Sequence, residues 1–219
     1  MGLLDFARGP ALQIALAVLV FGVIWRLVLL LLLPRLKDLT PARRGTRSAF
    51  MAGMREIVHR LWPDKTYARR TMFSLINGYI FHIGLALIVF GYAPHILFIE
   101  DLIGLSWPAL PSNVINAIGV ITVGSLFAAL GRRIINPVQR IISTFDDYFS
   151  WLVTILPVLT GLIAVSHLGA RYETLLAIHI LCVEAFLIWL PFGKLMHAFL
   201  VFVTRGQTGA HLSHRGVQT

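Results

Sequence analysis

The segment TLLAIHILCVEAFLIWLPFGKLMHAFLVFV, residues 174–203, decides the fold class of this chain. Over its whole length Glu184 and Lys194 are the only residues with a full charge. A helix crosses the hydrocarbon layer of a membrane with about 20 apolar residues, whereas strands of globular proteins seldom exceed about ten residues. The segment therefore predicts a transmembrane helix.

The composition extends this prediction to the whole chain. Hydrophobic residues make up 57% of the 219 residues and charged residues only 13%, whereas a soluble domain carries about 25% charged residues. An open sheet leaves backbone polar groups unpaired in lipid, so the spans must be helices. Five apolar segments are predicted to cross the membrane: 10–33, 72–98, 113–130, 149–167 and 174–203. We expect one all-α integral membrane domain, residues 1–219, built as a five-helix transmembrane bundle.

The net charge of +9 is concentrated on one side of this bundle. The basic residues of the long loop 34–71 are Arg35, Lys37, Arg43, Arg44, Arg47, Arg55, Arg60, Lys65, Arg69 and Arg70. Because basic loops stay in the cytoplasm, the N-terminus is expected outside and the C-terminus inside. The chain is then a multi-pass protein of a bacterial or archaeal cytoplasmic (inner) membrane. Since this asymmetry accounts for the charge, we expect no nucleic-acid binding.

Two histidines, His179 and His197, lie eighteen positions apart in the last predicted span. On one continuous helix eighteen residues make five turns and rise roughly 27 Å, which puts both rings on one face near opposite leaflets. Imidazoles in hydrocarbon are costly and usually functional. This spacing predicts a helix that binds a metal cofactor near each side of the membrane.

A partner for His197 can be found by counting depth from the charged flanks. His197 lies eight residues before Arg205, and His82 lies twelve residues after Arg70. These separations correspond to depths of roughly 12 and 18 Å, which agree to about one helical turn. Gly84 follows His82 closely and would let a flat macrocycle approach the backbone. The pair fits a haem with two imidazole ligands from facing helices.

The same count pairs two histidines on the outer side. His179 lies six residues after Glu173, and His95 lies five residues before Glu100. Their depths are therefore roughly 9 and 8 Å. This agreement predicts a second, outer haem held by His95 and His179.

The direction of the His95 ring leaves other outer ligands open. Thirteen residues separate His95 from His82, so the two rings diverge by about 220° on an ideal helix. Pro94 can kink the helix and redirect the ring. His167 at the outer end of the fourth span is the competing ligand, and Tyr92 is a further candidate.

Three more polar residues lie inside the predicted spans. Arg26 and Lys194 lie toward the cytoplasmic side, where each could pair with a haem propionate or extend its charge to the interface. Glu184 follows His179 by five residues and could relay protons or remain neutral and hydrogen-bonded. In the outer loop Trp107 could wall a quinone pocket or belong to the aromatic belt.

Two segments outside the histidine set have predicted structural roles. SAFMAGMREIVHRL, residues 48–61, predicts an amphipathic helix that lies on the membrane surface or docks a partner. Its apolar face comprises Phe50, Met54, Ile57, Val58 and Leu61. The sequence from Ser143 to Asp146 is similar to a capping box, so Asp146 and Asp147 are expected to cap the fourth span. The single cysteine, Cys182, excludes an iron–sulfur cluster built by this chain alone.

These residues resemble the gamma subunit of respiratory nitrate reductase, a five-helix dihaem cytochrome b. The resemblance covers helices two to five and is most specific at Phe81–Gly84 and from His179 to His197. In that family two histidines on helix two and two on helix five bind two b haems. His82, His179 and His197 match three of these positions, and Tyr92, with His95 three residues later, stands where the fourth is expected.

The resemblance implies a function within a larger complex. Electrons would pass from membrane quinol through the outer and inner haems to a cytoplasmic iron–sulfur subunit and a catalytic subunit. The chain would thus belong to a multi-subunit oxidoreductase without a complete active site of its own. One alternative is the quinone-reducing membrane subunit of a heterodisulfide-reductase-like or sulfur-oxidising complex. An alternative of another class is a haem-free transporter or assembly anchor.

Overall fold

The computed structural model describes residues 2–34, 39–43, 45–46 and 48–217. Within these ranges the regular elements are all helical. The α-helices are α1 Leu3–Phe6, α2 Leu12–Leu32, α3 Ala49–His59, α4 Ala68–Gly91, α5 Ala93–Ile103, α6 Ser112–Ile135, α7 Pro137–Ile142, α8 Phe145–Ser166, α9 Tyr172–Trp189 and α10 His197–His214. Of the basic residues in the loop 34–71, Arg35, Lys37, Arg44 and Arg47 lie outside the described residues.

Five of these helical segments are long and apolar enough to cross a membrane. They are Leu3–Leu32, Ala68–Gly91, Ser112–Ile135, Phe145–Ser166 and Tyr172–Trp189. For the described residues, the prediction of an all-helical fold with five helices long and apolar enough to cross a membrane is therefore confirmed. The first span begins earlier than predicted because a π-helical turn at Ala7–Ala11 accommodates Pro10 and joins α1 to α2. Such a turn absorbs the missing proline N–H without ending the helix.

The second predicted span, 72–98, is divided into two helices. α4 ends at Gly91, Tyr92 is extended, and α5 begins at Ala93 with Pro94 in its first turn. Proline suits this position because the first helical N–H groups have no partner within the helix. The peptide N–H of His95 then donates to the Tyr92 carbonyl oxygen at 3.0 Å, which starts α5 in a new direction.

The prediction that residues 174–203 form one helix is wrong. α9 ends at Trp189, a turn and a short 3₁₀ segment follow, and α10 starts at His197. Pro191 cannot donate to the helix, and its ring packs so tightly that a Cβ on Gly22 of α2 would lie 2.7 Å from it. His179 and His197 thus lie on different helices, and their eighteen-residue periodicity does not set their positions.

The spans pack in the order α2, α9, α8, α6, α4. Between α4 and α6 the amide of Asn77 donates to the Ser125 carbonyl oxygen at 3.0 Å, and the Ser125 hydroxyl donates to the Asn77 Oδ1 at 2.8 Å. Gly84 also faces α6, where an added Cβ would collide with the Thr122 hydroxyl. The suggestion that Gly84 gives a macrocycle access is therefore wrong, since helix α6 already fills that space.

The bundle has a basic end, at which α4 begins, α6 ends and α8 begins. There Arg132 donates to the Arg70 carbonyl oxygen at 3.3 Å. Thr144 opens α8, and its N–H donates to the Asp147 carboxylate at 2.9 Å. The capping box thus begins one residue later than the predicted Ser143, and Asp146 is free to contact another element.

Candidate functional site: two histidine pairs across the bundle

The structure brings both predicted histidine pairs together. The ring centroids of His82 on α4 and His197 at the start of α10 lie 6.0 Å apart, with the ring planes at 85°. The centroids of His95 on α5 and His179 on α9 lie 6.1 Å apart, with the planes at 12°. His82 and His95 belong to α4 and α5, whereas His179 belongs to α9 and His197 to α10. In the described part of the chain α4 packs mainly on α6 and α9 packs mainly on α8 and α2.

Both separations match the spacing of two imidazoles on one metal. A metal–nitrogen bond is about 2 Å and a ring nitrogen lies about 1.1 Å from its centroid, so two opposed ligands place their centroids about 6.3 Å apart. The described residues contain no group of three or more histidine, cysteine or acidic side chains that could hold an ion. Two imidazoles alone leave a metal under-coordinated, so the geometry suits a group that brings its own equatorial ligands.

All four rings use Nδ1 in a hydrogen bond to a neighbouring oxygen. The partners are the Gly78 carbonyl for His82 at 2.7 Å, the Ile88 carbonyl for His95 at 2.9 Å, the Lys194 carbonyl for His197 at 2.8 Å and the Thr160 hydroxyl for His179 at 3.3 Å. A carbonyl oxygen can only accept, so Nδ1 carries the proton in the neutral rings of His82, His95 and His197. Across the described ranges Nε2 of these rings has no hydrogen-bond partner, which leaves its lone pair for a metal.

The α4–α5 break explains how His95 reaches His179. On one straight helix the His95 ring would point about 220° away from His82. The break at Tyr92 redirects it, and Nδ1 of His95 turns back to the last turns of α4 at the Ile88 carbonyl. The kink expected from Pro94 is therefore present and places the ring opposite His179.

The two alternative outer ligands make contacts with residues other than His179. His167 ends α8 with a left-handed backbone, φ 54°, and its ring stacks on Tyr172 at 5.1 Å. Its Nδ1 lies 2.9 Å from the Val165 carbonyl oxygen. Tyr92 meets His95 edge-on at 5.3 Å. The residue that faces His179 is thus His95.

A turn held by α8 positions His197. Both carboxylate oxygens of Asp146 accept the backbone N–H of Lys194, at 3.1 and 3.0 Å. The Lys194 carbonyl oxygen in turn bonds the His197 ring. The Lys194 ammonium donates to the Asp147 carboxylate at 2.6 Å, so the structure gives it an ion-pair partner in the protein. A contact between Lys194 and a haem propionate stays a prediction.

The other polar residues singled out from the sequence have varied surroundings. Arg26 is exposed on α2. Glu184 is buried on α9, and its Oε1 has no hydrogen-bond partner among the described residues. The Trp107 indole donates to the Phe90 carbonyl oxygen at 2.5 Å, which ties the outer loop to the end of α4.

Sequence reasoning missed two glycines near the rings. A Cβ on Gly161 of α8 would lie 3.2 Å from the His179 ring, so this glycine lets the ring lie against α8. A Cβ on Gly78 would meet no atom within 4 Å, so the space beside the His82 partner carbonyl is open. The position of Gly78 four residues before His82, one helical turn away, was the signal that could have identified it.

One curated relative was found by comparison with known proteins. A protein of Nitratidesulfovibrio vulgaris is 33% identical over 210 residues, which cover 93% of this chain and 91% of that protein. The chain belongs to the same family as this relative, whose name, "Protein", states no activity. No family model matches the chain. No solved structure matches it.

Proposed function

We propose that this chain is a haem b electron-transfer subunit in the membrane. It exchanges electrons between the quinone pool and a cytoplasmic iron–sulfur partner, with quinol oxidation for a nitrate reductase-like complex as the favoured direction. The observation that carries the proposal is the pair of imidazole separations, 6.0 Å at the basic end and 6.1 Å at the opposite end. Orientation with the N-terminus outside follows from the basic loop charges.

Three properties of the residues support haem rather than a bare ion. Each site has two imidazoles with Nε2 lone pairs, and no third histidine, cysteine or acid completes a metal site in the described chain. A Cβ on Gly78 would meet no atom within 4 Å, and α4 packs mainly on α6, which supports a flat ring on the open side of Gly78. When bound, a b haem accepts and releases one electron at a time.

The protein's own residues set how such a group is held. His82 and His197 bind at the basic end, and His95 and His179 bind at the other end. The Nδ1 hydrogen bonds to backbone carbonyls fix the tautomers of His82, His95 and His197 and make Nε2 a stronger metal ligand. In a membrane, lipid and apolar helices around the rings would lower the local dielectric constant, which tunes a redox potential.

The distance between the two sites supports electron passage across the membrane. From His82 to the end of α4 at Gly91 the helix rises roughly 14 Å, and His95 lies beyond that end on α5. The proposal therefore assigns one site to each leaflet. Oxidation of quinol at the far end from the basic loops would release its protons outside.

Partner subunits follow from what this chain lacks. Its one cysteine cannot build an iron–sulfur cluster, so a cytoplasmic iron–sulfur subunit and a catalytic subunit must supply the remaining centres. The arginines of the basic end offer a surface that complements an acidic partner.

The test is a reduced-minus-oxidised spectrum and a haem count on the purified chain. We expect a b-type spectrum and two haems per chain, one fewer in His82→Ala, and one fewer in His179→Ala. His59→Ala, a histidine at the end of α3 and outside both pairs, is the matched control and should keep two. Absence of b haem in wild type overturns the proposal and leaves a transporter or anchor. Co-purification with heterodisulfide-reductase-like subunits would instead assign the quinone-reducing direction.

A further inference from the structure

Helices α3 and α10 are distant in sequence and pack against each other through glycines of both helices, which we call the glycine seam. A Cβ on Gly53 would lie 2.8 Å from the Gly206 carbonyl oxygen, and one on Gly209 would lie 2.5 Å from the Cβ of Glu56. Only glycine allows the two helices to lie this close together. The small-residue face of α3 is therefore packed against α10. Ala52, Gly53 and Glu56 are its buried residues.

The apolar side of α3 is therefore left uncovered. We define the α3 apolar face as Phe50, Met51, Met54, Val58 and Leu61. Their exposed fractions run from 47% at Met54 to 75% at Phe50. The predicted amphipathic helix is thus present, except that Ile57 of the predicted apolar face is half-buried and lies toward Gly206 of α10.

This face lies beside a membrane span. The Tyr79 hydroxyl on α4 donates to the Leu61 carbonyl oxygen, which ties the end of α3 to the flank of that span. Only the segment 62–67 separates this contact from the first residue of α4. The α3 apolar face is therefore continuous with the lipid-facing surface at the basic end.

The charges around the face complement anionic lipid. Between residues 48 and 70 there are five basic and two acidic residues. Of the acids, Glu56 is buried and bonds Arg60 at 2.5 Å, while Arg55 lines the shallow groove beside Met51 and Met54. A helix with large apolar side chains beside arginines is typical of binding at the interface of an anionic membrane.

We propose that the α3 apolar face inserts into the headgroup layer of the membrane at the basic end, held there by anionic phospholipid. Phe50 and Met54 enter the acyl boundary, and Arg55 contacts lipid phosphate. The glycine seam couples this helix to α10, whose first residue is His197. The proposal stands without any assumption about haem.

The test places nitroxide labels on the full chain in lipid nanodiscs. In a Cys182→Ser background the labels go on Met54→Cys and Phe50→Cys, with Gln207→Cys on exposed α10 as the control. In phosphatidylglycerol-containing discs we expect the accessibility of the α3 labels to oxygen to exceed their accessibility to a nickel chelate at least several-fold. At Gln207 we expect the chelate to have the higher accessibility. Equal access of the chelate to all three labels overturns the proposal.

A second arm tests the charge. In discs of phosphatidylcholine alone, or with Arg55→Glu in phosphatidylglycerol, the oxygen preference at Met54 should fall several-fold. An unchanged preference overturns the role of anionic lipid. The chelate could instead reach the α3 labels in the isolated chain and lose this access only when copurified subunits are present. That result overturns lipid binding and assigns the face to a protein partner.

Discussion

Asp146 holds the backbone N–H of Lys194 with both of its carboxylate oxygens, at 3.1 and 3.0 Å. The two residues belong to different elements, since Asp146 lies in the first turn of α8 and Lys194 begins the 3₁₀ segment after α9. The carbonyl oxygen of the same Lys194 bonds His197 at 2.8 Å. One residue thus connects the start of α8 to the ring that faces His82.

Asp146→Asn should disturb His197 more than Asp147→Asn does. A hydrogen bond to a charged group contributes about 1.5–3 kcal/mol, and the amide keeps only one acceptor oxygen for the Lys194 N–H. We expect Asp146→Asn to lose haem from the basic end and to change the electron paramagnetic resonance signal of the haem that remains there.

Asp147→Asn is the matched control for this prediction. It removes the ion pairs with Lys194 and Arg133 but leaves the backbone contact of Asp146 intact. Asp146→Glu, which keeps the carboxylate, should restore part of the signal. Equal loss in Asp146→Asn and Asp147→Asn would show that general folding of the turn, rather than the Lys194 backbone contact, is what matters.

The outer ligand can be assigned by three substitutions. His95→Ala should leave one haem per chain, because His95 is the ring that faces His179 at 6.1 Å. His167→Ala should keep two, since that ring stacks on Tyr172, and Tyr92→Phe should keep two because it preserves the aromatic edge against His95. A second haem that survives in His95→Ala but is lost in His167→Ala would reverse the assignment.

The sequence predicted the features that depend on distance along a helix. The number of spans follows from apolar length, and the pairings of His82 with His197 and of His95 with His179 follow from depth. Each depth is counted from a charged residue in the same helix as the histidine, so the pairing is unaffected by the early end of α9. The end of α9 was missed because proline is often tolerated inside membrane helices. Here the Pro191 turn is stabilised by Gly22 and Asp146, which are distant in sequence.

The packing of α3 against α10 was missed for a related reason. Periodicity identifies which side of a helix is apolar, but the neighbour of each side is decided by non-local packing. The small residues Ala52 and Gly53 allow close approach to α10, so α3 packs through this side and its apolar side stays uncovered. A glycine in α10 is informative only once its partner glycine in α3 is known.

Gly84→Ala should destabilise the protein, because the new methyl group collides with Thr122 on α6. Overpacking of this kind costs about 1–3 kcal/mol. Thermal unfolding in detergent should show a lower midpoint, and Gly84→Ala with Thr122→Ala should recover most of it. Gly124→Ala on the facing helix α6 is the control, since its Cβ meets no atom within 4 Å. A midpoint as low for Gly124→Ala would mean that the loss of a helix glycine in itself, rather than the collision with Thr122, lowers the stability.

The Asn77–Ser125 contact should contribute a measurable coupling between α4 and α6. Asn77 donates to the Ser125 carbonyl oxygen and accepts from its hydroxyl, and both residues are buried. Interhelical polar contacts in membranes contribute about 0.6 kcal/mol on average and reach about 1.7 kcal/mol. The bond to the Ser125 carbonyl oxygen survives in Ser125→Ala, so the coupling comes from the bond between the Ser125 hydroxyl and the Asn77 Oδ1, and we expect it near the average value. A double-mutant cycle of Asn77→Ala and Ser125→Ala, followed by unfolding in mixed detergent, measures it. If the losses in unfolding free energy are additive, the two side chains stabilise their helices independently. The close packing at Gly84 is then the main stabilising contact between α4 and α6.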